Sequence, residues 1–121
     1  MKKLVLLLTL SSLLAACTSA QMNMLMGVRK QTYNDINAEW VGSTEEALIS
    51  KWGPPTKSYA LESGAKIVSY EHIWGPISSY SVCVEKFMIE KGVVTKWGIS
   101  NCPSKASGTL PKDTPIPQPT L

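Results

Sequence analysis

Histidine and acidic side chains are scarce in this sequence. Its 121 residues include one His, nine Asp and Glu together and three Cys, with no dense cluster of these types. Zinc sites and catalytic triads need several such side chains in one place, so most metalloenzymes and triad hydrolases are excluded. His72 follows Glu71, but adjacent strand residues point to opposite faces, so we expect no acid–base pair there. We therefore predict a protein that is not an enzyme, with no metal, no other cofactor and no small-molecule substrate.

Concentrated positive charge is also missing. The formal net charge is +3, and it falls to +1 once residues 1–16 are removed, because Lys2 and Lys3 go with them and leave ten basic and nine acidic side chains. Proteins that bind nucleic acid usually carry a concentrated basic face, so we expect no nucleic-acid partner. The length allows one domain rather than two.

The third absence is an apolar run long enough to span a membrane, for which about 20 residues are needed. Residues 4–14 are rich in Leu and Val, follow Lys2 and Lys3, and precede the small residues Ala15 and Ala16. A basic start, a short apolar stretch and small residues are typical of a secretory signal, so residues 1–16 are predicted to be a signal peptide.

The sequence Leu14-Ala15-Ala16-Cys17 resembles the bacterial lipobox. That resemblance implies a lipoprotein in which Cys17 carries acyl chains such as palmitate and becomes the first residue of the mature chain, which a membrane then holds through this lipid anchor. The alternative is an ordinary signal peptide with an incidental Cys. Thr18 replaces the Asp that would favour the inner membrane of a Gram-negative bacterium, so we expect the periplasmic face of the outer membrane.

The two remaining cysteines, Cys83 and Cys102, agree with export to the periplasm. An even number of Cys in an oxidising compartment favours a disulfide bond, and the alternative is two buried free thiols. Residues 82–89 and 93–99 are predicted strands, with Lys91-Gly92 as the turn between them. An uninterrupted ladder would leave the two Cα atoms too far apart, so the disulfide needs a bulge or a bend near Ser100-Asn101.

The mature chain is predicted to contain a lipidated tether, a small domain and a tail. The domain is α+β, with two short helices packed on one face of a three- to four-stranded antiparallel sheet. The helices are expected at residues 28–38 and 44–52, the second with Ser43 and Glu46 as a capping box. The further strands are expected at residues 58–61 and 66–72. The boundaries are 17–26 for the tether, 27–102 for the domain and 103–121 for a Pro-rich disordered tail that holds five of the eight Pro.

A family resemblance runs through residues 40–102. The pattern begins with Trp40-Val41-Gly42-Ser43 and a predicted helix, continues with Trp52-Gly53-Pro54-Pro55, and ends in a predicted antiparallel sheet. This pattern resembles that of the SmpA/OmlA/BamE-like small bacterial lipoproteins. That resemblance implies two helices on a three-stranded antiparallel sheet. It also implies an accessory or scaffold role in envelope or outer-membrane protein assembly or maintenance, with an envelope protein as partner. No partner-contacting residue of the family is carried over to this chain.

One stretch between the strands is rich in aromatic residues. Trp74, Pro76 and Tyr80 lie within residues 73–80, and exposed aromatic side chains often anchor protein contacts. They are therefore the candidate partner-binding residues, although they could instead fold over the sheet and complete a small core. Such a loop could also plug a catalytic cleft, so the alternative function is a binding module that inhibits a periplasmic or exogenous enzyme.

Overall fold

The computed structural model describes residues 27–121, which form two helices, six strands and one 3₁₀ turn. The main sheet has four antiparallel strands in the order β2-β3-β4-β5, and β1 and β6 form a second, two-stranded sheet. The predicted α+β class is confirmed. In chain order the elements are β1 (Val28–Lys30), α1 (Tyr33–Ala38), α2 (Glu45–Trp52), β2 (Lys57–Ala60), β3 (Lys66–Trp74), the turn Ile77–Ser79, β4 (Ser81–Glu90), β5 (Val93–Ser100) and β6 (Thr109–Pro111).

The described chain falls into two compact units. The smaller one contains residues 27–29 and 109–114, and the larger one contains Lys30–Gly108 and Pro115–Leu121. Within the smaller unit the Lys112 amide donates to the Gly27 carbonyl over 2.6 Å. All sites described below lie in the larger unit.

The first predicted helix begins later than the sequence suggested. Residues 28–30 are strand β1, so the expectation of a helix from residue 28 is wrong for this part. Helix α1 begins after Thr32, whose side chain accepts from the Asp35 amide, while the Asp35 carboxylate accepts from the Thr32 amide. This reciprocal capping box fixes the helix start at a position that the apolar spacing did not reveal.

The second helix has the predicted end and a start shifted by one residue. Thr44, not Ser43, is the N-cap, and its hydroxyl accepts from the Ala47 amide over 3.1 Å. The Ser43 carbonyl instead accepts from the Val94 amide of β5, which ties the helix start to the sheet. Gly53 ends the helix with a φ of 84°, a conformation that favours glycine.

A register shift in the β4–β5 hairpin decides which side chains face the core. The pairing runs Glu90↔Val93 and Ile89↔Val94, and after the shift between Met88 and Ile89 it continues with Phe87↔Trp97. An unshifted ladder would place Trp97 on the opposite face, so this bulge brings Trp97 into the core, where it is 2% exposed.

The helices cover one face of the main sheet, and the core lies between them and that face. Trp52 of α2 packs edge-to-face against Trp40, Tyr70 and Phe87 at ring-centroid distances of 5.3–5.9 Å. Such aromatic contacts each contribute about 0.5–1.5 kcal/mol beyond area burial. The buried members of the core are Leu48, Val68, Tyr70, Phe87, Ile89, Val94 and Trp97.

The Pro-rich segment makes specific contacts that its composition does not predict. The amides of Thr120 and Leu121 both donate to the Trp97 carbonyl of β5, over 2.9 and 3.0 Å. The Asn34 side chain donates to the Pro117 carbonyl over 2.9 Å. The structure thus places Thr120 and Leu121 against the outer side of β5, and it assigns residues 109–111 to β6. Neither helix within residues 27–121 is long and apolar enough to cross a membrane.

Candidate functional site

A histidine and a glutamate meet on the helix-facing side of the sheet, beyond the edge of the core. His72 follows Tyr70 by two residues on β3, and Glu85 pairs with Tyr70 from β4, so all three share one face. The Nε2 atom of His72 lies 3.0 Å from Oε1 of Glu85. The His72 side chain remains about half exposed, whereas Glu85 is 3% exposed. An exposed imidazole thus contacts a buried carboxyl group.

Glu85 receives its second hydrogen bond from helix α1. The Asn37 side-chain amide donates to Oε2 of Glu85 and to the Tyr33 carbonyl, both over 2.8 Å. Burial raises the pKa of the Glu85 carboxyl above its ordinary value, and the bonds from Asn37 and His72 only partly oppose that effect. Asn37 is itself fully buried, and within the described chain its Oδ1 atom has no hydrogen-bond partner.

An open cleft of about 430 Å³ lies over this pair. Tyr33 and Ile36 of α1 and Trp52 at the end of α2 line it together with His72 and Glu85. The cleft therefore combines apolar and aromatic walls with one buried carboxyl group. That combination is typical of a site that binds an apolar body carrying one polar or charged group.

This site was missed at the sequence level. Glu71 and His72 point apart as expected, and Glu71 pairs with Lys57 over 2.7 Å. Glu85, however, lies midway between Cys83 and Phe87 at a spacing of two residues, so all three share the buried face of β4. An ionisable residue at a core-facing strand position was the signal that pointed to a buried polar site.

The candidate partner-binding residues lie at the β3–β4 connection. Trp74 ends β3 and is 40% exposed, Pro76 precedes the turn Ile77–Ser79, and Tyr80 is 59% exposed. Neither aromatic residue joins the buried core, so the alternative in which they complete it is not what the structure shows. Ile77, which the sequence did not single out, is 99% exposed. We call residues 73–80 the apolar tip.

The apolar tip is fixed at its base. The Trp74 indole donates to the Asn101 carbonyl over 2.7 Å, and the Ser79 amide donates to the Pro76 carbonyl over 3.0 Å. Cys83, two residues after the first residue of β4, is bonded to Cys102. The Trp74 hydrogen bond and the disulfide connect the two ends of the tip to the chain that follows β5, and the Ser79 bond closes the turn within the tip.

The disulfide predicted between Cys83 and Cys102 is present, with the Cα atoms 4.3 Å apart. The same bulge that buries Trp97 makes Ser100 pair with Val84 rather than with Cys83. Asn101 then adopts a φ of 53°, which turns the chain at the predicted bend. Bulge and bend together bring Cys102 within reach of Cys83.

Several predictions concern residues outside the described part of the chain. The lipid-attachment residue Cys17, the signal peptide 1–16, the tether 17–26 and Thr18 all precede residue 27. Within residues 27–121 there is no group of three or more His, Cys, Asp or Glu side chains that could hold a metal ion.

The chain matches no protein-family model, no curated protein and no solved structure. The resemblance to the SmpA/OmlA/BamE-like lipoproteins therefore stays a prediction from the sequence motifs.

Proposed function

We propose that this chain is a lipid-anchored, non-enzymatic binding protein at the periplasmic face of the outer membrane. Its role is that of an accessory or scaffold in the assembly or maintenance of the envelope and its outer-membrane proteins. The lipobox at Cys17 and the motifs of residues 40–102 support this proposal, and the disulfide between Cys83 and Cys102 is consistent with an oxidising compartment.

The observation that carries the proposal is the exposure of the apolar tip. Ile73, Trp74, Ile77 and Tyr80 are all large apolar side chains exposed to solvent. Residues 73–84 contain no charged side chain, so nothing in this stretch opposes contact with an apolar partner surface. Clusters of exposed apolar residues mark interaction sites more often than scattered ones do. A protein partner that covers this tip would bury the aromatic side chains that commonly dominate interface energetics.

The cleft supports a binding role rather than catalysis. His72 and Glu85 share it with Tyr33, Ile36 and Trp52, and this described set includes no Ser, Cys or Lys that the pair could activate as a nucleophile. The carboxyl group and the imidazole are therefore better suited to recognition than to covalent chemistry.

The test is site-specific photocrosslinking in living cells. A photoreactive amino acid replaces Ile77 in one variant and Tyr59 in the control, because Tyr59 is 67% exposed but lies on β2. We expect position 77 to give an adduct that contains a subunit of the outer-membrane barrel-assembly machinery and position 59 to give none. Equal adducts at both positions, or adducts at position 77 without an envelope protein, would refute the proposal.

The rigidity of the apolar tip favours one alternative function, inhibition of an envelope-directed enzyme. A turn fixed at its base by Trp74 and the disulfide, with Ile77 at its most exposed point, loses little conformational entropy when it enters a catalytic cleft. Inhibition of a lysozyme or a periplasmic protease that is lost in Trp74→Ala and Tyr80→Ala would establish this function. Undiminished activity of those enzymes at saturating protein would exclude it for them.

A further inference from the structure

The carboxyl group of Glu85, in the cleft, receives little compensating positive charge from its own surroundings. Glu85 is almost fully buried, its neighbour Asn37 is neutral, and the one basic side chain in the cleft lining is the half-exposed imidazole of His72. Each oxygen of the carboxylate accepts one described hydrogen bond and has a further lone pair to offer. The site can therefore accept donors from outside the chain.

The cleft walls restrict what such a donor group can be attached to. Tyr33 and Trp52 supply aromatic rings and Ile36 an aliphatic side chain, so the entering group needs an apolar stem. A wholly apolar group would exclude water from Glu85 without replacing its hydrogen bonds, which is unfavourable for a buried charge. A cation on an aliphatic stem satisfies both requirements.

We propose that this cleft binds the side chain of an arginine presented by the protein partner. The guanidinium group donates to the free lone pairs of Glu85, and its planar face and stem pack against Trp52 and Tyr33. Arginine fits better than lysine because a guanidinium stacks on aromatic rings and donates in a fixed planar fork. This inference rests on the proposed function, since it identifies one anchor of the proposed partner.

The position of the cleft allows one partner segment to reach both surfaces. His72, in the cleft, and Trp74, in the apolar tip, lie two residues apart on the same face of β3, which is about 7 Å along a strand. An arginine next to an apolar residue in the partner could therefore occupy the cleft and contact the tip together.

The test uses a minimal probe and the full chain extracted in detergent. N-acetyl-arginine amide is titrated while NMR follows the four Trp indole signals, with N-acetyl-citrulline amide as a neutral probe of nearly the same shape. We expect arginine to shift the Trp52 signal saturably and citrulline to bind at least about tenfold more weakly, because hydrogen bonds to charged groups are the stronger ones. Trp97, buried in the core, serves as the internal reference.

Variants then assign the effect to Glu85. Glu85→Gln should reduce arginine affinity by at least about tenfold, whereas Glu71→Gln, on the opposite face of β3, should bind as the unaltered chain does. If Glu85→Gln does not fold, Ile36→Arg serves instead, because its own guanidinium occupies the cleft without altering Glu85. Equal binding of the two probes, or unchanged arginine affinity in either cleft variant, would overturn the inference.

The outcomes for the cleft and for the proposed function can be told apart. Arginine binding that depends on Glu85, without any adduct at Ile77, would keep the cleft assignment and reject the proposed partner. An adduct at Ile77 with no selective arginine binding would keep the proposed partner and reject the cleft assignment.

Discussion

The Asn37 amide of helix α1 donates a 2.8 Å hydrogen bond to Oε2 of Glu85 on strand β4. This contact joins a fully buried helix residue to the buried carboxyl group beneath the cleft, so one polar pair connects the two layers of the fold. Removing only one partner of such a buried polar pair destabilises the fold, because the other partner stays buried without its hydrogen bond.

Asn37→Ala leaves Glu85 with one donor fewer in a site that water reaches poorly. We expect the free energy of unfolding to fall by about 2–3 kcal/mol, since an unsatisfied buried group near a charge carries a penalty of that order. Urea denaturation measures it, and Ser50→Ala, an exposed position on α2, is the control. A loss no larger than that of Ser50→Ala would mean that the pair contributes nothing to stability.

The pH dependence of stability should reveal the buried carboxyl group directly. Burial raises the folded-state pKa of Glu85 above 4.5, so the folded chain holds this proton more tightly than the unfolded chain. The resulting stabilisation is complete below pH 4.5 and is lost as the pH rises through the folded-state pKa. Glu85→Gln cannot ionise, so its stability relative to the unaltered chain should increase as the pH rises above 4.5 and through the folded-state pKa of Glu85. A difference in unfolding free energy that stays constant over this range would contradict the assignment.

Removal of the disulfide should lower the free energy of unfolding, because the unfolded chain gains conformational entropy when the cross-link is absent. Cys83 and Cys102 are 19 residues apart, and closing a loop of that length contributes roughly 3 kcal/mol in the chain-entropy account. We expect the Cys83→Ser/Cys102→Ser double variant to lose about this much stability in urea denaturation. Intact mass should rise by about two hydrogens when the unaltered chain is reduced. An unchanged mass would show that the two thiols are free.

Gly98→Ala should release the end of the chain from β5. A Cβ atom at position 98 would lie 2.7 Å from the Leu121 carbonyl oxygen, too close for a real contact. We expect faster hydrogen exchange at the amides of Thr120 and Leu121, which donate to the Trp97 carbonyl. Retained protection at both amides would show that the last residues are held by something other than this contact.

Cys17→Ser tests the lipid anchor. Without the thiol no acyl chain can be attached, so the variant should appear in the soluble periplasmic fraction or remain unprocessed. Fractionation followed by intact-mass measurement distinguishes these outcomes. A fully processed variant that stays in the membrane fraction would rule out the anchor.

Local sequence signals predicted much of the fold. Lys91-Gly92 indicated the hairpin turn, and Gly53 followed by Pro54 indicated where α2 ends, because both depend on residues adjacent in sequence. The strand assignment of residues 28–30 could not be obtained that way, since it depends on pairing with residues 109–111 far along the chain.

The candidate site was harder to predict because it depends on register. Trp97 faces the core because of a bulge between Met88 and Ile89. No residue type at that position predicts a bulge. The contact of His72 with Glu85 likewise needs the β3–β4 alignment, which the sequence leaves open. The apolar tip was more accessible, because Trp74, Pro76 and Tyr80 are close together in the chain.

The contacts along β5 have a consequence for self-association. The Ser43 carbonyl, the Gly42 amide and the last two residues bond to the outer side of β5, so the described chain already occupies much of that border. In the main sheet β2 is the other outermost strand, and it offers four exposed residues, one of them Lys57. Copies that pair edge to edge through the main sheet need an available strand border, and in the described main sheet that border is the short, charged one of β2. If the chain end detached from Trp97, the border of the longer strand β5 would also become available for pairing between copies.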